Sequence, residues 1–185
     1  MAETDGAMRD ATPFLFETER LRIRPWRPED RPALEQMARD PEMMRHVTAG
    51  RTWSDAQLDE FFERQERHLT NHGICFGAVE LTGTGEVIGL AGMQPHDDGR
   101  FELGWWIWKT YWGRGYATEA IRPFVAHARD SMGLKLVVAI IDPPNAASKR
   151  VAAKLGMRHD CTKSARETIA QRDDVPVDYF VLRLR

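Results

Sequence analysis

The run Trp112-Gly113-Arg114-Gly115-Tyr116-Ala117-Thr118-Glu119 joins an aromatic, strand-like segment, Phe101 to Trp108, to an amphipathic helical one. Two glycines separated by Arg114 let the chain turn sharply and bring its backbone close to a ligand. The N–H groups that open the helix then point into the turn. With the helix dipole they favour an anion, most naturally a phosphate or pyrophosphate. Arg114 adds positive charge beside them. The turn lacks the Lys-Ser or Lys-Thr ending of a Walker loop. It also lacks a dinucleotide fingerprint, because Thr118 stands where the third glycine belongs. A tight strand-to-helix connection with no ligand fits these residues too.

The neighbouring patterns limit the fold. The helix from about Ala117 to Met132 carries the apolar stripe Ala120, Ile121, Phe124, Val125 and Ala128, and Pro123 counts against perfect regularity there. Lys135 to Ile141 is a continuous apolar strand stopped by Asp142-Pro143-Pro144, so Phe101 to Ile141 reads as a parallel β-α-β crossover. Upstream, Leu21 to Arg24 alternates as a strand, a helix spans roughly Glu29 to Arg39, and Ser54 with Gln57 forms a capping box for a second helix. Phe76 to Leu81 and Glu86 to Met93 form a hairpin around Thr82-Gly83-Thr84-Gly85. Asn145 opens a short helix ending at Gly156, and Val177 to Leu184 closes the chain as a strand. The order is β-α-α-β-β-β-α-β-α-(β)-β, one α/β domain over 13–185 after an acidic, polar tail over 1–12.

Composition removes several function classes. The chain has 185 residues, 42% of them apolar, enough for a core without disulfides or metal. A formal net charge of −2 argues against a dedicated nucleic-acid binder. No run approaches the roughly 18 apolar residues of a membrane span. Cys75 and Cys161 lack CxxC spacing and read as reduced thiols of a cytoplasmic protein, and the histidines show no zinc pattern, so no metal is expected. Arg20, Arg22, Arg24 and Arg27 read as a solvated strand face.

In a parallel β-α-β unit both strand ends emerge on one side, so the Gly-rich turn and Asn145 face one crevice. Asn145 also suits a plain helix N-cap.

Glu102 to Ile107, Tyr111 to Ala120 and Asn145 to Met157 together resemble the GNAT superfamily of acetyl-CoA-dependent N-acetyltransferases. With Glu19 to Pro25 they are most similar to the branch that includes ribosomal-protein N-terminal acetyltransferases. The likeness runs over roughly Phe16 to Arg185. The family's Gln/Arg-x-x-Gly-x-Gly/Ala pattern reads here from Trp112 to Ala117, with Trp at its first position. The resemblance implies a mixed, mostly antiparallel central sheet with helices on both faces, a β-α-β crossover and splayed central strands. It implies that Trp112, Gly113, Arg114, Gly115, Tyr116, Ala117 and Thr118 bind acetyl-CoA, with N–H groups from Arg114 to Thr118 on the pyrophosphate. It implies that Trp106, Ile107 and Trp108 pair with pantetheine through the backbone. Asn145 would contact the pantetheine arm, with Ser148 near the sulfur. Dimers are common in the family, so the resemblance leaves a homodimer open, and no feature of this sequence decides it.

An amine attacks a thioester only as the free base, and a lysine-type amine with a pKa of ~10.4 is rarely deprotonated at neutral pH. Glu102 is the candidate general base, on the strand face shared with Gly104, Trp106 and Trp108 unless a bulge flips the parity beyond it. N–H groups around Ile107 would stabilise charge on the thioester oxygen. Many family members carry a Tyr where this chain has Ala152, so Ser148 becomes the candidate donor to the leaving thiolate. Trp53 and Trp106 suit a flat or apolar acceptor or a peptide end, and His96, in the turn with Asp97 and Asp98, suits a cationic one. His46 is a weaker acceptor-side candidate. The expected activity is direct acetyl transfer to a primary amine, of a protein N-terminus or a small molecule, in a ternary complex. The alternative is a non-catalytic acyl-CoA-binding or regulatory module.

Overall fold

The apolar runs become strands of one sheet in the computed structural model, which describes residues 15–96, 99–167 and 174–185. The strands are β1 (Phe16–Glu17), β2 (Leu21–Arg24), β3 (Phe76–Leu81), β4 (Val87–Pro95), β5 (Phe101–Ile107), β6 (Leu136–Ile141), β7 (Arg158–Ser164) and β8 (Pro176–Arg183). The helices are α1 (Arg31–Arg39), α2 (Pro41–Met44), α3 (Asp55–His72), α4 (Tyr116–Asp130) and α5 (Ala146–Lys154). The expected tail over 1–12, and Asp97 with Asp98, lie outside the described residues.

The sheet order is β1-β2-β3-β4-β5-β6-β8-β7. Among the described strands only β5 and β6 pair in parallel, joined through α4 as the crossover pattern requires. β3 and β4 are apolar almost throughout because both their faces are covered. On one face α4 lays Ala120, Ile121, Phe124 and Ala128 against Leu21, Ile23, Met93, Leu103 and Ile107. On the other, Leu34 and Ala38 of α1 and Leu58 and Phe61 of α3 close over Leu90, flanked by Trp26, Trp53, Phe76 and Trp106.

Local signals explain most boundaries. Ser54 Oγ accepts from Gln57 N–H at 3.4 Å and Gln57 Oε1 accepts from Ser54 N–H at 2.9 Å, completing the capping box of α3. The β3–β4 turn closes with Leu81 N–H donating to Glu86 O at 2.9 Å. α4 runs unbroken through Pro123, because buried side chains on both sides of it hold the helix to the sheet. β7 has the weakest sequence signal of the strands: its residues RHDCTKS are mostly exposed at the sheet edge and carry little apolar alternation.

The bulge anticipated in β5 lies elsewhere. The β3–β4 register shifts between Val79 and Glu80, with Ile88 as the extra residue, whereas β4 pairs continuously with β5 from Gly89↔Ile107 to Pro95↔Phe101. The parity of β5 is therefore intact. Glu102, Gly104 and Trp106 share the α1/α3 face, and Leu103, Trp105 and Ile107 share the α4 face.

Candidate active site

Beyond the single register Glu102↔Val138, β5 and β6 part company. Trp108 N–H donates to Ile88 O at 2.7 Å, so the alternating ladder directs the backbone groups of Trp106 and Gly104 toward β4. Those of Trp105 and Ile107 therefore turn into the gap between the parting strands. There the Trp112 indole N–H donates to Ile107 O at 2.6 Å. The Ile107 N–H and the Trp105 groups line the gap, a strand edge suited to an extended, amide-bearing ligand arm. Trp108 lies past the strand end and faces Lys109, whose Nζ sits 5.6 Å from its ring centroid.

A short 3-10 turn, Lys109–Tyr111, precedes the Gly-rich segment. Gly113 at φ +77° and Gly115 at φ +85° occupy the left-handed region, which explains their residue type. Gly115 is the N-cap of α4 and makes no side-chain cap, so the first N–H groups of that helix are not capped by it. A Cβ at Gly113 would meet nothing within 4 Å, so the turn is open on that side. An open turn, a helix start without a side-chain cap and a strand edge in the gap together fit the diphosphate and pantetheine arm of a CoA thioester. Lys109 Nζ ties the turn to α2 through Asp40 at 2.6 Å and Glu42 at 3.1 Å. The Arg114 guanidinium lies 5.3 Å over the Tyr111 ring.

Asn145 adopts its capping role: its Oδ1 accepts from Ser148 N–H at 3.0 Å, which leaves its amide nitrogen as the group able to meet a ligand. Ala152 is fully buried in the core beside α4 and offers no hydroxyl.

Glu102 is 6% exposed and His96 only 5%, which corrects the placement of His96 as a surface turn residue. The His96 side chain folds inward, with Nε2 3.0 Å from Glu102 Oε2, and Gln94 Nε2 donates to the same oxygen at 3.0 Å. Gln94, which the sequence did not single out, is brought in by the register Gln94↔Glu102. Trp106 lies on the same face with its ring centroid 5.1 Å from that of Trp53, so these two meet as expected. The Phe76 ring covers Gly104: a Cβ there would lie 2.6 Å from Phe76 Cζ. His46 reaches Asp142, at the end of β6, with Nδ1 2.5 Å from Oδ2.

The four arginines are not one solvated face. Arg24 is 4% exposed and bonds Asp30 and Glu80. Arg20 clamps Glu119 of α4. Arg22, paired with Glu17 at 2.9 Å, keeps 44% of its side chain exposed and Arg20 42%, and Arg27 lies beyond the end of β2. Among the described residues no group of three or more His, Cys, Asp or Glu could hold a metal ion, and no helix is long and apolar enough to cross a membrane.

A splayed parallel pair beside a glycine-led helix start is the architecture of a CoA-dependent acyltransferase. The family model described as "Acetyltransferase (GNAT) domain" matches residues 20–158, and the chain belongs to that family. It is an acetyl-CoA-dependent acyltransferase of the N-acetyltransferase kind. A similar curated protein is the FsC-acetyl coenzyme A-N(2)-transacetylase of Aspergillus fumigatus, 29% identical over 161 residues, 80% of this chain and 66% of that protein. Among solved structures, an acetyltransferase from Agrobacterium tumefaciens str. C58 superposes with a TM-score of 0.77 at 27% identity, over 92% of this chain and 94% of that one. The ribosomal L7/L12 α-N-protein acetyltransferase RimL, solved with coenzyme A, shares the fold with a TM-score of 0.75 at 14% identity, over 93% and 98% of the two chains. The resemblance drawn from the Gly-rich turn is borne out at the level of family and fold.

Proposed function

We propose that the enzyme carries the acetyl group of acetyl-CoA directly to a primary amine while both substrates are bound. The observation that carries this is the gap between β5 and β6, which opens beyond the Glu102↔Val138 pairing toward the glycine-led start of α4, with the buried Glu102 carboxylate on the α1/α3 face of the same strand. Acetyl-CoA supplies an activated acyl carbon as its thioester. The N–H groups from Arg114 to Thr118 hold the diphosphate, with Trp112, Gly113 and the Tyr116 and Ala117 backbone shaping the turn. Trp105 and Ile107, flanked by Trp106 and Trp108, present the strand edge to the pantetheine arm, and the Asn145 amide meets it from the other side. The Ile107 N–H stabilises charge that develops on the thioester oxygen. Glu102, oriented by Gln94 and His96, takes a proton from the bound acceptor ammonium, directly or through water, and the free amine so formed attacks the thioester carbon. The Ser148 hydroxyl hydrogen-bonds the departing sulfur. Trp53 and Trp106 wall the acceptor side, and His96 contributes there through Glu102.

Direct transfer is supported by the cysteines. Burial pushes the Cys75 thiol up to about 12, and Cys161 sits on edge strand β7, away from the gap. An amine acceptor is supported by the relative named for N(2) acetylation. Two free thiols suit a cytoplasmic setting. A homodimer, common in the family, is the assembly that sedimentation would test. The decisive test is calorimetric titration with acetyl-CoA of the wild type and a Gly115→Glu variant, followed by thiol release with an amine panel. Binding that vanishes in the variant, with amine-dependent turnover in the wild type, is expected. A wild type that binds no acetyl-CoA would overturn the proposal, as would one that binds it but acetylates no amine.

A further inference from the structure

Glu119 lies in the first turn of α4, the helix start that the proposed function gives to a diphosphate. An unneutralised carboxylate there would repel the ligand. Arg20, just before β2, meets it from the side. Its Nε donates to Glu119 Oε2 at 2.8 Å, its Nη2 to the same oxygen at 2.5 Å, and its backbone N–H to Oε1 at 3.1 Å. The Thr18 hydroxyl donates to Oε1 at 2.7 Å. Burial works to raise the Glu119 pKa, but the hydrogen bonds from Thr18 and Arg20 outweigh it and hold the carboxyl below its ordinary value, so it is ionised. Arg20 Nη2 also donates to the backbone O of Arg114 at 3.1 Å, and its guanidinium lies 4.4 Å over the Tyr116 ring. One side chain thus touches the loop carbonyl, the first aromatic ring of the helix and its first acidic group.

We propose that Arg20 is a positioning residue for the acetyl-CoA diphosphate: it cancels the Glu119 charge and holds the Arg114 carbonyl turned away from the anion, leaving the loop N–H groups free to bind it. This rests on the diphosphate site proposed above. The sign of the effect separates it from a brace that merely stabilises the fold. Arg20→Met leaves Glu119 uncompensated and frees the carbonyl, so acetyl-CoA binding weakens by about tenfold, the scale of one charge-assisted hydrogen bond. Glu119→Gln removes the repelling charge while Arg20 keeps its bond to Arg114, so binding is as tight as in the wild type or tighter. The double variant binds better than Arg20→Met alone. Acetyl-S-pantetheine, which has no diphosphate, is used equally well by wild type and Arg20→Met.

The experiment is calorimetric titration of acetyl-CoA into wild type, Arg20→Met, Glu119→Gln and the double variant, with kcat and KM for acetyl-CoA and acetyl-S-pantetheine. A rise confined to the Kd and KM of acetyl-CoA, with rescue in the double variant, supports the role. Unchanged acetyl-CoA affinity in Arg20→Met overturns it. So does an equal loss with both donors, or weakened binding in Glu119→Gln, which stands as the independent test should Arg20→Met fold poorly. A wild type without acetyl-CoA affinity, or a Gly115→Glu variant that retains it, instead overturns the diphosphate site itself.

Discussion

Replacing Arg24 by Met should destabilise the fold more than any exposed arginine substitution. Arg24 lies on β2 and is 4% exposed; Asp30 and Glu80 are 5% and 8% exposed. Its Nη1 and Nη2 donate to the two Asp30 oxygens at 2.6 and 2.9 Å, and its Nε donates to Glu80 Oε2 at 2.7 Å. Met fills much of the same volume but leaves two buried carboxylates without their cation. Removing one member of a buried ion pair costs about 3–5 kcal/mol. Two features limit the loss: Asp30 still accepts from Arg27 N–H at 2.8 Å, and Arg22 Nη1 stands 3.9 Å from Glu80 Oε1. A loss near 3 kcal/mol is therefore expected. At about 2–4 °C per kcal/mol for a chain of this size, melting should fall by roughly 6–12 °C. Urea unfolding of Arg24→Met measures the loss, and the triple variant Arg24→Met/Asp30→Asn/Glu80→Gln should recover a large part of it by removing the stranded charges. A loss below about 1 kcal/mol, the range of exposed pairs, would refute the reasoning. Asp30 also opens α1, so the same variant should loosen the helix that covers the Trp106 face.

Glu102→Gln should lower kcat by about 10²–10⁴-fold, with little change in the KM for acetyl-CoA, as read by thiol release. His68 is held down to about 4, by burial first and then by Arg64, His72 and Arg67, against 6.5 in the unfolded chain. The unfolded chain therefore takes up this proton first as pH falls, and stability drops between about pH 6.5 and 4; His68→Leu should flatten that part of the acid limb in urea titrations. Cys75, its thiol raised to about 12 by burial, should resist alkylation at mildly alkaline pH until the protein unfolds, while Cys161 reacts in the folded state, as mass spectrometry would show.

The parts legible in the sequence are those fixed by short-range chemistry. The glycines of the turn, the capping box at Ser54 and the apolar stripe of α4 each announce their local structure, because φ, capping and burial periodicity act over a few residues. The arginines show what composition hides. Arg20 and Arg24 alternate with apolar residues and look solvated, yet the first meets a helix 99 positions away and the second a strand 56 positions away. Partners that distant leave no local pattern. Asn145 reads two ways in the sequence because capping and ligand contact use different ends of one amide, and its oxygen is committed to the cap. The Gln94, His96 and Glu102 cluster needed the β4–β5 register. Each residue alone is an ordinary polar interruption, and only the pairing Gln94↔Glu102 makes them neighbours.

That register also explains how one strand can serve two substrates. A β-strand turns its side chains and its backbone groups outward in step, with a period of two. In β5 the residues whose backbone bonds β4, namely Glu102, Gly104 and Trp106, direct their side chains to the α1/α3 face. Those whose side chains enter the α4 core, Trp105 and Ile107, direct their backbone into the gap beside β6. On the proposed function the acyl donor therefore meets peptide groups, whose geometry is independent of residue identity, while the acceptor meets Glu102 and Trp106. Donor recognition can then persist while the acceptor face changes. A bulge within β5 would exchange the two sets. Its position in β4, at Ile88 against β3, leaves the pleat from Glu102 to Ile107 uninterrupted and keeps the two roles on opposite registers of a single strand.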